Sequence, residues 1–230
     1  MSFVFPPAAA VSVPVRGTNA QFPVHRIYCV GRNFADHAKE MGASIDRGAP
    51  VFFAKPADAI VPGGGEMPYP RGTSDLHHEV ELVVALGRDA TGVVPMDGAL
   101  DLVFGYSVGL DLTRRDLQAQ AKAKGLPWDT AKGFDRSAPL AELLPTSAIG
   151  HDVARRLWLE VNGELRQQAA LTDMVWGVAE IVHELSKLYE LRAGDLIFMG
   201  TPAGVAALRP GDRYRAGIDG WIELSGAIAA

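Results

Sequence analysis

The sequence contains a single cysteine, Cys29, so no disulfide can form within the chain. Such a chain suits a reducing compartment, and we expect the protein to be cytoplasmic. No apolar run approaches the roughly 18 residues that a membrane-spanning helix needs, so no membrane partner is expected. Residues 1–17 lack a basic leader and are interrupted by prolines, which argues against a signal peptide.

Long basic runs are also absent. The chain carries 22 Lys and Arg against 27 Asp and Glu, a formal net charge of −5, so nucleic acid is not an expected partner. Three familiar catalytic motifs are missing as well: there is no P-loop, no H-E-x-x-H zinc site, and no serine in the "GTPAG" turn to act as a nucleophile. The hydrophobic fraction, in contrast, is 48%, which is enough for a full core.

Glycine and proline, with 25 and 15 residues, are spread along the whole chain, which is typical of many short strands joined by turns. A regular alternation of strand and helix is missing, so we predict a strand-dominated α+β fold with a large mixed or antiparallel sheet system and three or four helices. No repeat or linker divides the chain. We therefore predict a short N-terminal segment, residues 1–20, followed by one domain, residues 21–230.

The stretch "LHHEVELVVALG", residues 76–87, places two carboxylates in what is otherwise an apolar strand. Side chains alternate between the two faces of a strand, so Glu79 and Glu81 point the same way. We predict that Leu82, Val84 and Leu86 continue this same face, which should become buried. Buried carboxylates repel each other unless one is protonated or a cation lies between them, so we interpret the pair as part of a metal site. The alternative is a pair on a solvated face.

A third acid, Asp111, closes the apolar segment "GYSVGLDLT". Three carboxylates without a thiolate favour a hard cation such as Mg²⁺ or Mn²⁺, with positions left open for substrate and water. The alternative role for Asp111 is to support the N-terminus of a helix that we predict over 113–125. His77 and His78 adjoin the site, and we interpret them as loop residues or as residues that support the ligands.

A short helix is predicted within "RIYCVGRNFADHAKEMG", residues 26–42, with Asn33 as its N-cap and Gly42 beyond its end. It has only about two turns, and such short helices are marginal in water, so it is expected to be mobile. His37 and Glu40 are three residues apart and share one face of this helix. A carboxylate in that position can orient a histidine that acts as a general base. The alternative is an ordinary His/Glu pair on the surface.

Six segments, in this order along the chain, resemble the fumarylacetoacetate hydrolase family, and they are most similar to its short acylpyruvase and fumarylpyruvate hydrolase members: "YCVGRNFADHAKEMG", "LHHEVELVVALG", "GYSVGLDLTRRDLQ", "KGLPWDTAKGFD", "WLEVNGELRQ" and "IFMGTPAGV". The resemblance implies a mixed β-roll with a few peripheral helices and a lid helix, in a homodimer. It implies that Glu79, Glu81 and Asp111 hold Mg²⁺ or Mn²⁺. Residues 1–20 show no resemblance.

Catalytic roles are implied by the same resemblance. His37 and Glu40 match the family's catalytic pair on the lid helix, and Lys132 in "TAKGF" matches a lysine that faces the substrate. The implied reaction is metal-dependent hydrolysis of a C–C bond in a 2,4-dioxo acid. We predict that fumarylpyruvate is cleaved to fumarate and pyruvate at the end of a gentisate-type route of aromatic breakdown.

Substrate contacts are implied for Arg115 and Gln118 in "LDLTRRDLQ" and for Thr201 in "MGTPAG". A substrate with a second, distal carboxylate would need one more cation, for which Arg32 and Arg71 are the candidates. Two alternatives remain open. One is another enzyme on the same scaffold, an oxaloacetate decarboxylase or an isomerase or hydratase of 2-oxo-enoic acids, and the other is a metal-stabilised sensor of 2-oxo acids.

Overall fold

The computed structural model describes residues 2–40, 42 and 47–230. Within this part of the chain, five short α-helices are present: α1 (Ala35–Glu40), α2 (Arg115–Lys124), α3 (Asp129–Lys132), α4 (Thr146–Ile149) and α5 (Val178–Ser186). The strands are β1 (Ser12–Pro14), β2 (Gln21–Pro23), β3 (Ile27–Gly31), β4 (Val51–Lys55), β5 (Ile60–Pro62), β6 (Gly64–Met67), β7 (Leu76–His77), β8 (Val80–Leu86), β9 (Val103–Leu110), β10 (Thr113–Arg114), β11 (Ala138–Leu140), β12 (Leu144–Pro145), β13 (Arg156–Val161), β14 (Glu164–Ala170), β15 (Leu196–Phe198), β16 (Ala207–Leu208), β17 (Arg213–Ile218) and β18 (Ile222–Ile228).

The largest sheet has eight strands, in the order β4-β3-β15-β8-β9-β11-β5, with β12 beside β9. It is mixed, because β15 runs parallel to β3 and β11 runs parallel to β5, whereas β8 is antiparallel to both of its neighbours. A second sheet has five strands, in the order β14-β13-β17-β18-β6. The hairpin β1-β2 and the small sheet β10-β7-β16 complete the strand pairing of the described residues. This is the strand-dominated α+β architecture that the sequence predicts.

Strand β8 is buried along its whole length because the eight-stranded sheet is covered on both faces. One face carries its even-numbered residues from Val80 to Leu86, which belong to the larger core cluster that also contains the inner faces of β13, β17 and β18. The other face carries Val83 and Ala85, which belong to a second, smaller cluster. The prediction that Leu82, Val84 and Leu86 continue the face of the two acids is therefore wrong. Strand alternation places them on the opposite face, and Glu79 and Glu81 share theirs with Val83 and Ala85.

The β1-β2 hairpin covers part of the second face. Val13, Val15 and Phe22 are buried there together with Ile27 and Phe198 of the large sheet. Val13 and Val15 of the predicted N-terminal segment therefore lie in the smaller core.

The single strand predicted over 76–87 is wrong, because the chain changes sheets in the middle of it. Leu76 and His77 form β7, which pairs with β10 and β16, and the large sheet receives the chain only from Val80 onwards. His78 and Glu79 make the crossing between the two sheets. Glu79, the first of the two carboxylates, therefore lies just before the first residue of β8 and lines a pocket.

Asn33 does not cap α1, as its position suggested, because its side chain is committed elsewhere. The amide nitrogen donates to the carbonyl oxygens of Met199, at 2.7 Å, and Trp176, at 3.0 Å, and Oδ1 accepts a hydrogen bond from the Trp176 N–H. Asn33 is fully buried and ties the start of the predicted lid to two other segments. Residue 41, which the lid prediction included, lies outside the described residues.

No helix in the described ranges has both the length and the apolar character required to span a bilayer.

Replacement of Asn33 by Ala should reduce the free energy of unfolding by about 2–4 kcal/mol, because several buried hydrogen bonds are lost together. Urea denaturation of wild type and variant measures this change. Gln120→Ala, on the exposed side of α2, is the control and should change the same quantity by less than about 0.5 kcal/mol. A loss at Asn33 no larger than that of the control would show that its hydrogen bonds do not hold the segment in place.

Candidate metal centre and active site

Three carboxylates meet at one buried point. Glu81 lies opposite Gly109 in the β8-β9 pairing, and the backbone N–H of Asp111 donates to the carbonyl oxygen of Glu79. Residues that pair in this way point to the same face of a sheet, so the three acids converge. One oxygen from each of Glu79, Glu81 and Asp111 lies within 4.8 Å of the others, and all three side chains are buried.

Cationic side chains from three elements compensate two of these acids. Lys132 at the end of α3 donates to Glu79 at 2.9 Å and also to Asp111. Arg115 at the start of α2 donates to the other oxygen of Glu79. Lys55 at the end of β4 is fully buried and lies 2.8 Å from Oδ1 of Asp111. Burial alone would raise the pKa of Glu79, but Lys132 and Arg115 hold that pKa well below its ordinary value.

Glu81 differs from the other two acids because it has no cationic partner among the described residues. Its Oε2 accepts one hydrogen bond, from the backbone N–H of Gly200 at 2.7 Å, and its side chain is 1% exposed. Burial, followed by the charges of Asp111 and Glu79, raises the pKa of Glu81 well above its ordinary value. A buried carboxylate in this position must take up a proton or face a cation. The three acids therefore fit a hard divalent cation, and Glu81 is the one that such a cation would relieve most.

Lys132 is placed by a short helix that the sequence did not predict. Asp129–Lys132 forms one helical turn, α3. Its last carbonyl oxygen, that of Lys132, accepts hydrogen bonds from the buried Lys55 ammonium and from the Ser137 hydroxyl. The Lys132 ammonium is fixed at the base of the site by Thr113 Oγ1, at 2.7 Å, as well as by the two acids.

Helix α1 brings the predicted His/Glu pair to the same site. Nδ1 of His37 lies 3.2 Å from Oε2 of Glu40, and Glu40 also accepts the backbone N–H of Gly204, which joins the helix to the loop after β15. Burial lowers the pKa of His37 against the opposing charges of Glu79 and Glu40. His37 is therefore neutral at physiological pH, which is the form that a general base needs.

One pocket, partly open to solvent, collects most of the residues that the sequence suggested. Its lining includes two of the metal-ligand candidates and six other predicted residues: Arg32, His37, Glu79, Glu81, Arg115, Gln118, Lys132 and Thr201. Asp111 and Glu40 lie behind this lining, in contact with Lys132 and His37 respectively. Arg71 is exposed and outside the lining, so of the two candidates for a distal cation only Arg32 lies at the pocket.

Sequence reasoning missed the residues that support this site from behind. Gln167 of β14 is buried, and its amide nitrogen donates to Thr201 Oγ1 while its oxygen accepts from the Val80 N–H and lies 2.8 Å from Nδ1 of His78. Lys55 balances the charge of Asp111. Both lie far along the chain from the acids, so no local spacing marks them. His78 is thus a buried supporting residue, one of the two roles predicted for it.

Comparison with known proteins identifies relatives along nearly the whole chain. Residues 26–229 match the family model described as fumarylacetoacetate (FAA) hydrolase C-terminal. The crystal structure of fumarylpyruvate hydrolase from Pseudomonas aeruginosa in complex with Mn²⁺ and pyruvate has a TM-score of 0.96 and 47% sequence identity, over 99% of each chain. The predicted fold of this type is therefore confirmed.

Two curated relatives carry names that refer to oxaloacetate. The mitochondrial oxaloacetate tautomerase FAHD1 of Rattus norvegicus is 46% identical over 198 residues, which is 86% of this chain and 89% of that protein. The mitochondrial oxaloacetate decarboxylase of Dictyostelium discoideum is 39% identical over 196 residues, which is 85% of this chain and 89% of that protein. From the family match and these similarities, the chain belongs to the fumarylacetoacetate hydrolase family.

Proposed function

We propose that this protein is a metal-dependent hydrolase that cleaves the C3–C4 bond of a 2,4-dioxo acid, with fumarylpyruvate as its substrate. The observation that carries the proposal is the neutral His37, paired with Glu40, beside the three buried carboxylates in one pocket. The similarity to a fumarylpyruvate hydrolase that binds Mn²⁺ and pyruvate supports this choice. Water and fumarylpyruvate would give fumarate and pyruvate.

The proposed role of His37 is to remove a proton from water. Because Nδ1 faces Glu40, Nε2 is the nitrogen that remains to accept the proton. Glu40 holds the ring in this orientation and stabilises the imidazolium that forms. The hydroxide attacks C4, the C3–C4 bond breaks, and its electron pair goes to the pyruvate fragment, whose C3 finally takes up a proton.

The charged residues below His37 would bind and polarise the 2-oxo acid end of the substrate. Glu79, Glu81 and Asp111 would hold Mg²⁺ or Mn²⁺, which when bound supplies the positive charge that stabilises the developing enolate. Lys132 and Arg115 lie in the same pocket and add fixed positive charge near the substrate oxygens. Thr201, held by Gln167, and Gln118 would orient the carboxylate.

We extend the proposal to the setting of the protein: a cytoplasmic homodimer that acts in aromatic breakdown. These points rest on the sequence. Light scattering coupled to gel filtration measures the oligomer directly, and a monomeric mass for active protein would refute the dimer.

A second candidate function is the tautomerisation or decarboxylation of oxaloacetate, which the names of the curated relatives favour. Both reactions use charge stabilisation of the same enolate but no attack on C4. The purified protein should be assayed with Mg²⁺ or Mn²⁺ on fumarylpyruvate, acetylpyruvate and oxaloacetate in parallel. Faster turnover of oxaloacetate than of either acylpyruvate would favour the second candidate, and no turnover of any 2-oxo acid would favour a sensor.

Replacement of Glu81 by Gln should weaken Mn²⁺ binding by at least about tenfold, because a neutral amide replaces one of three carboxylates in the site. The same change should raise the stability of the metal-free protein at neutral pH, since wild type must either bury this charge without a cationic partner in the described chain or protonate it on folding, and the amide does neither. Electron paramagnetic resonance of free Mn²⁺ measures the affinity, and urea denaturation in chelator measures the stability. Glu66→Gln, an exposed acid, is the control. Unchanged affinity in the Glu81 variant would contradict the ligand assignment.

Replacement of His37 by Ala should reduce hydrolysis of an acylpyruvate by about 10²–10⁴-fold, the usual contribution of one general base. Mn²⁺ affinity should hardly change, because the three carboxylates remain. Oxaloacetate decarboxylation, where present, should fall less, since it needs no activated water. Glu40→Gln should give a milder loss of hydrolysis. Equal losses on both substrates would leave His37 with a binding role only.

The pH dependence of kcat/KM for an acylpyruvate follows from the environment of His37. Only its neutral form accepts a proton, so activity rises with pH through the His37 pKa. Burial lowers this pKa from its ordinary 6.5, against the charges of Glu79 and Glu40, so the acidic limb should lie below pH 6.5. A limb centred above pH 7 in the metal-loaded enzyme would mean that another group controls the rate.

A further inference from the structure

Helix α2 turns one continuous row of side chains towards the pocket. Arg115, Gln118 and Lys122 are spaced three and four residues apart, which places them on one face of a helix, and all three line the pocket. Arg115 and Gln118 match substrate-contacting positions of the family. Lys122 continues the row by one further turn, towards the C-terminal end of the helix.

The Lys122 ammonium is held at the outer part of the pocket by an aromatic side chain. Its nitrogen lies 5.2 Å from the centre of the Trp128 ring, a cation–π contact that orients the lysine side chain. Burial, followed by the charges of Arg115 and Arg32, lowers the pKa of Lys122. Lys122 lines the same pocket as Arg115 and Arg32, whose positive charges oppose its own.

Arg32 follows β3 immediately and lines the same pocket. Its backbone has a φ of 62°, in the left-handed region that residues other than glycine, asparagine and aspartate rarely adopt. An arginine that occupies an unfavourable backbone conformation beside a pocket suggests that its side chain is needed there. Gly31, beside it, also lines the pocket.

The four cations of the pocket fall into two classes. Lys132 and Arg115 lie deep in the pocket and are paired with Glu79. Arg32 and Lys122 are partly exposed, and within the described residues neither forms an ion pair or a hydrogen bond to an acid. The two deep cations are therefore paired with an acid, whereas the two outer cations pair with no acid among the described residues.

We propose that Arg32 and Lys122 form a subsite for a carboxylate at the far end of the substrate, and that this subsite makes the enzyme select acyl groups that end in a carboxylate. The inference rests on the proposed function, because the 2-oxo acid end is taken to lie at Glu79, Glu81 and Asp111. The acyl group then extends from C4 towards the opening, where the two cations stand. A carboxylate bound between them relieves their mutual repulsion and gains charge-assisted hydrogen bonds from both. Acetylpyruvate has no such group.

The first test compares fumarylpyruvate with acetylpyruvate for Lys122→Met. Loss of one hydrogen-bonded charge contact at a partly exposed site should lower the ratio of the two kcat/KM values, fumarylpyruvate over acetylpyruvate, by about tenfold. Lys122→Arg should restore most of the ratio. Lys124→Met is the matched control, because Lys124 lies on the same last turn of α2 but outside the pocket lining, so this variant should leave the ratio unchanged. An unchanged ratio in Lys122→Met overturns the role of Lys122.

The second test uses the backbone conformation of Arg32. Arg32→Gly removes the guanidinium and the left-handed strain together, so it should lower the same substrate ratio while it raises the melting temperature. Arg136→Gly is the matched control, because Arg136 is also an exposed arginine with a φ of 60° but lies outside the pocket lining. It should raise the melting temperature without changing the ratio. Equal effects of both variants on the ratio overturn the role of Arg32.

A binding experiment separates failure of this inference from failure of the proposed function. 2-Oxopimelate and 2-oxoheptanoate have the same seven-carbon chain as fumarylpyruvate, cannot be hydrolysed at C4, and differ only in the terminal carboxylate. Calorimetric titration in the presence of Mn²⁺ should show that wild type prefers 2-oxopimelate by about tenfold and that Lys122→Met loses this preference. Equal affinities in wild type overturn the subsite even if acylpyruvates are hydrolysed. A clear preference without any hydrolysis upholds the subsite and refutes the hydrolase.

Discussion

The burial of three like charges at one point is the constraint on which the rest of the structure depends. Glu79, Glu81 and Asp111 converge because strand pairing aims them at one face of the large sheet, and their repulsion is then balanced from outside that pairing. Lys55 arrives from β4 and Lys132 from α3, so elements distant in sequence must pack around the β8-β9 pair before the acids are stable in their ionised form. Glu79 and Asp111 have cationic partners, whereas Glu81 has none among the described residues. Glu81 is therefore the acid whose charge most needs a bound cation.

Close backbone approach connects the acid cluster with α1. Gly200 has a φ of 90°, and a Cβ atom there would lie 2.7 Å from Cβ of Asn33, so only glycine lets the loop after β15 pass beside Asn33 while its N–H reaches Glu81. Four residues later, the N–H of Gly204 reaches Glu40, and a Cβ atom at that position would lie 2.1 Å from the carbonyl oxygen of Arg166. One glycine-containing loop thus touches both a metal-ligand candidate and the partner of the proposed general base, which couples their positions.

The sequence predicts those features of the site that depend on spacing along one element. The two-residue spacing of Glu79 and Glu81 and the three-residue spacing of His37 and Glu40 each follow from strand or helix geometry, and the strand-dominated fold follows from the distribution of turn residues. The change of sheet between His77 and Val80 was not predictable, because it depends on which partner strands are available. Lys55 and Gln167 escaped notice for a related reason: their partners lie 56 and 34 residues or more away, and single-sequence patterns carry no information about such contacts.

The deep part of the pocket does not by itself distinguish hydrolysis from decarboxylation or tautomerisation. Each of these reactions passes through charge on the same oxygens of a 2-oxo acid, and three carboxylates with Lys132 and Arg115 provide for that charge in every case. Relatives of this chain with different names can therefore share this part of the site. What separates the reactions lies further out: hydrolysis requires a base that reaches water beside C4, and it requires room and charge for the acyl group beyond C4. Under the proposed function the neutral His37 would meet the first requirement, and Arg32 and Lys122, which pair with no acid in the described part of the chain, would bear on the second.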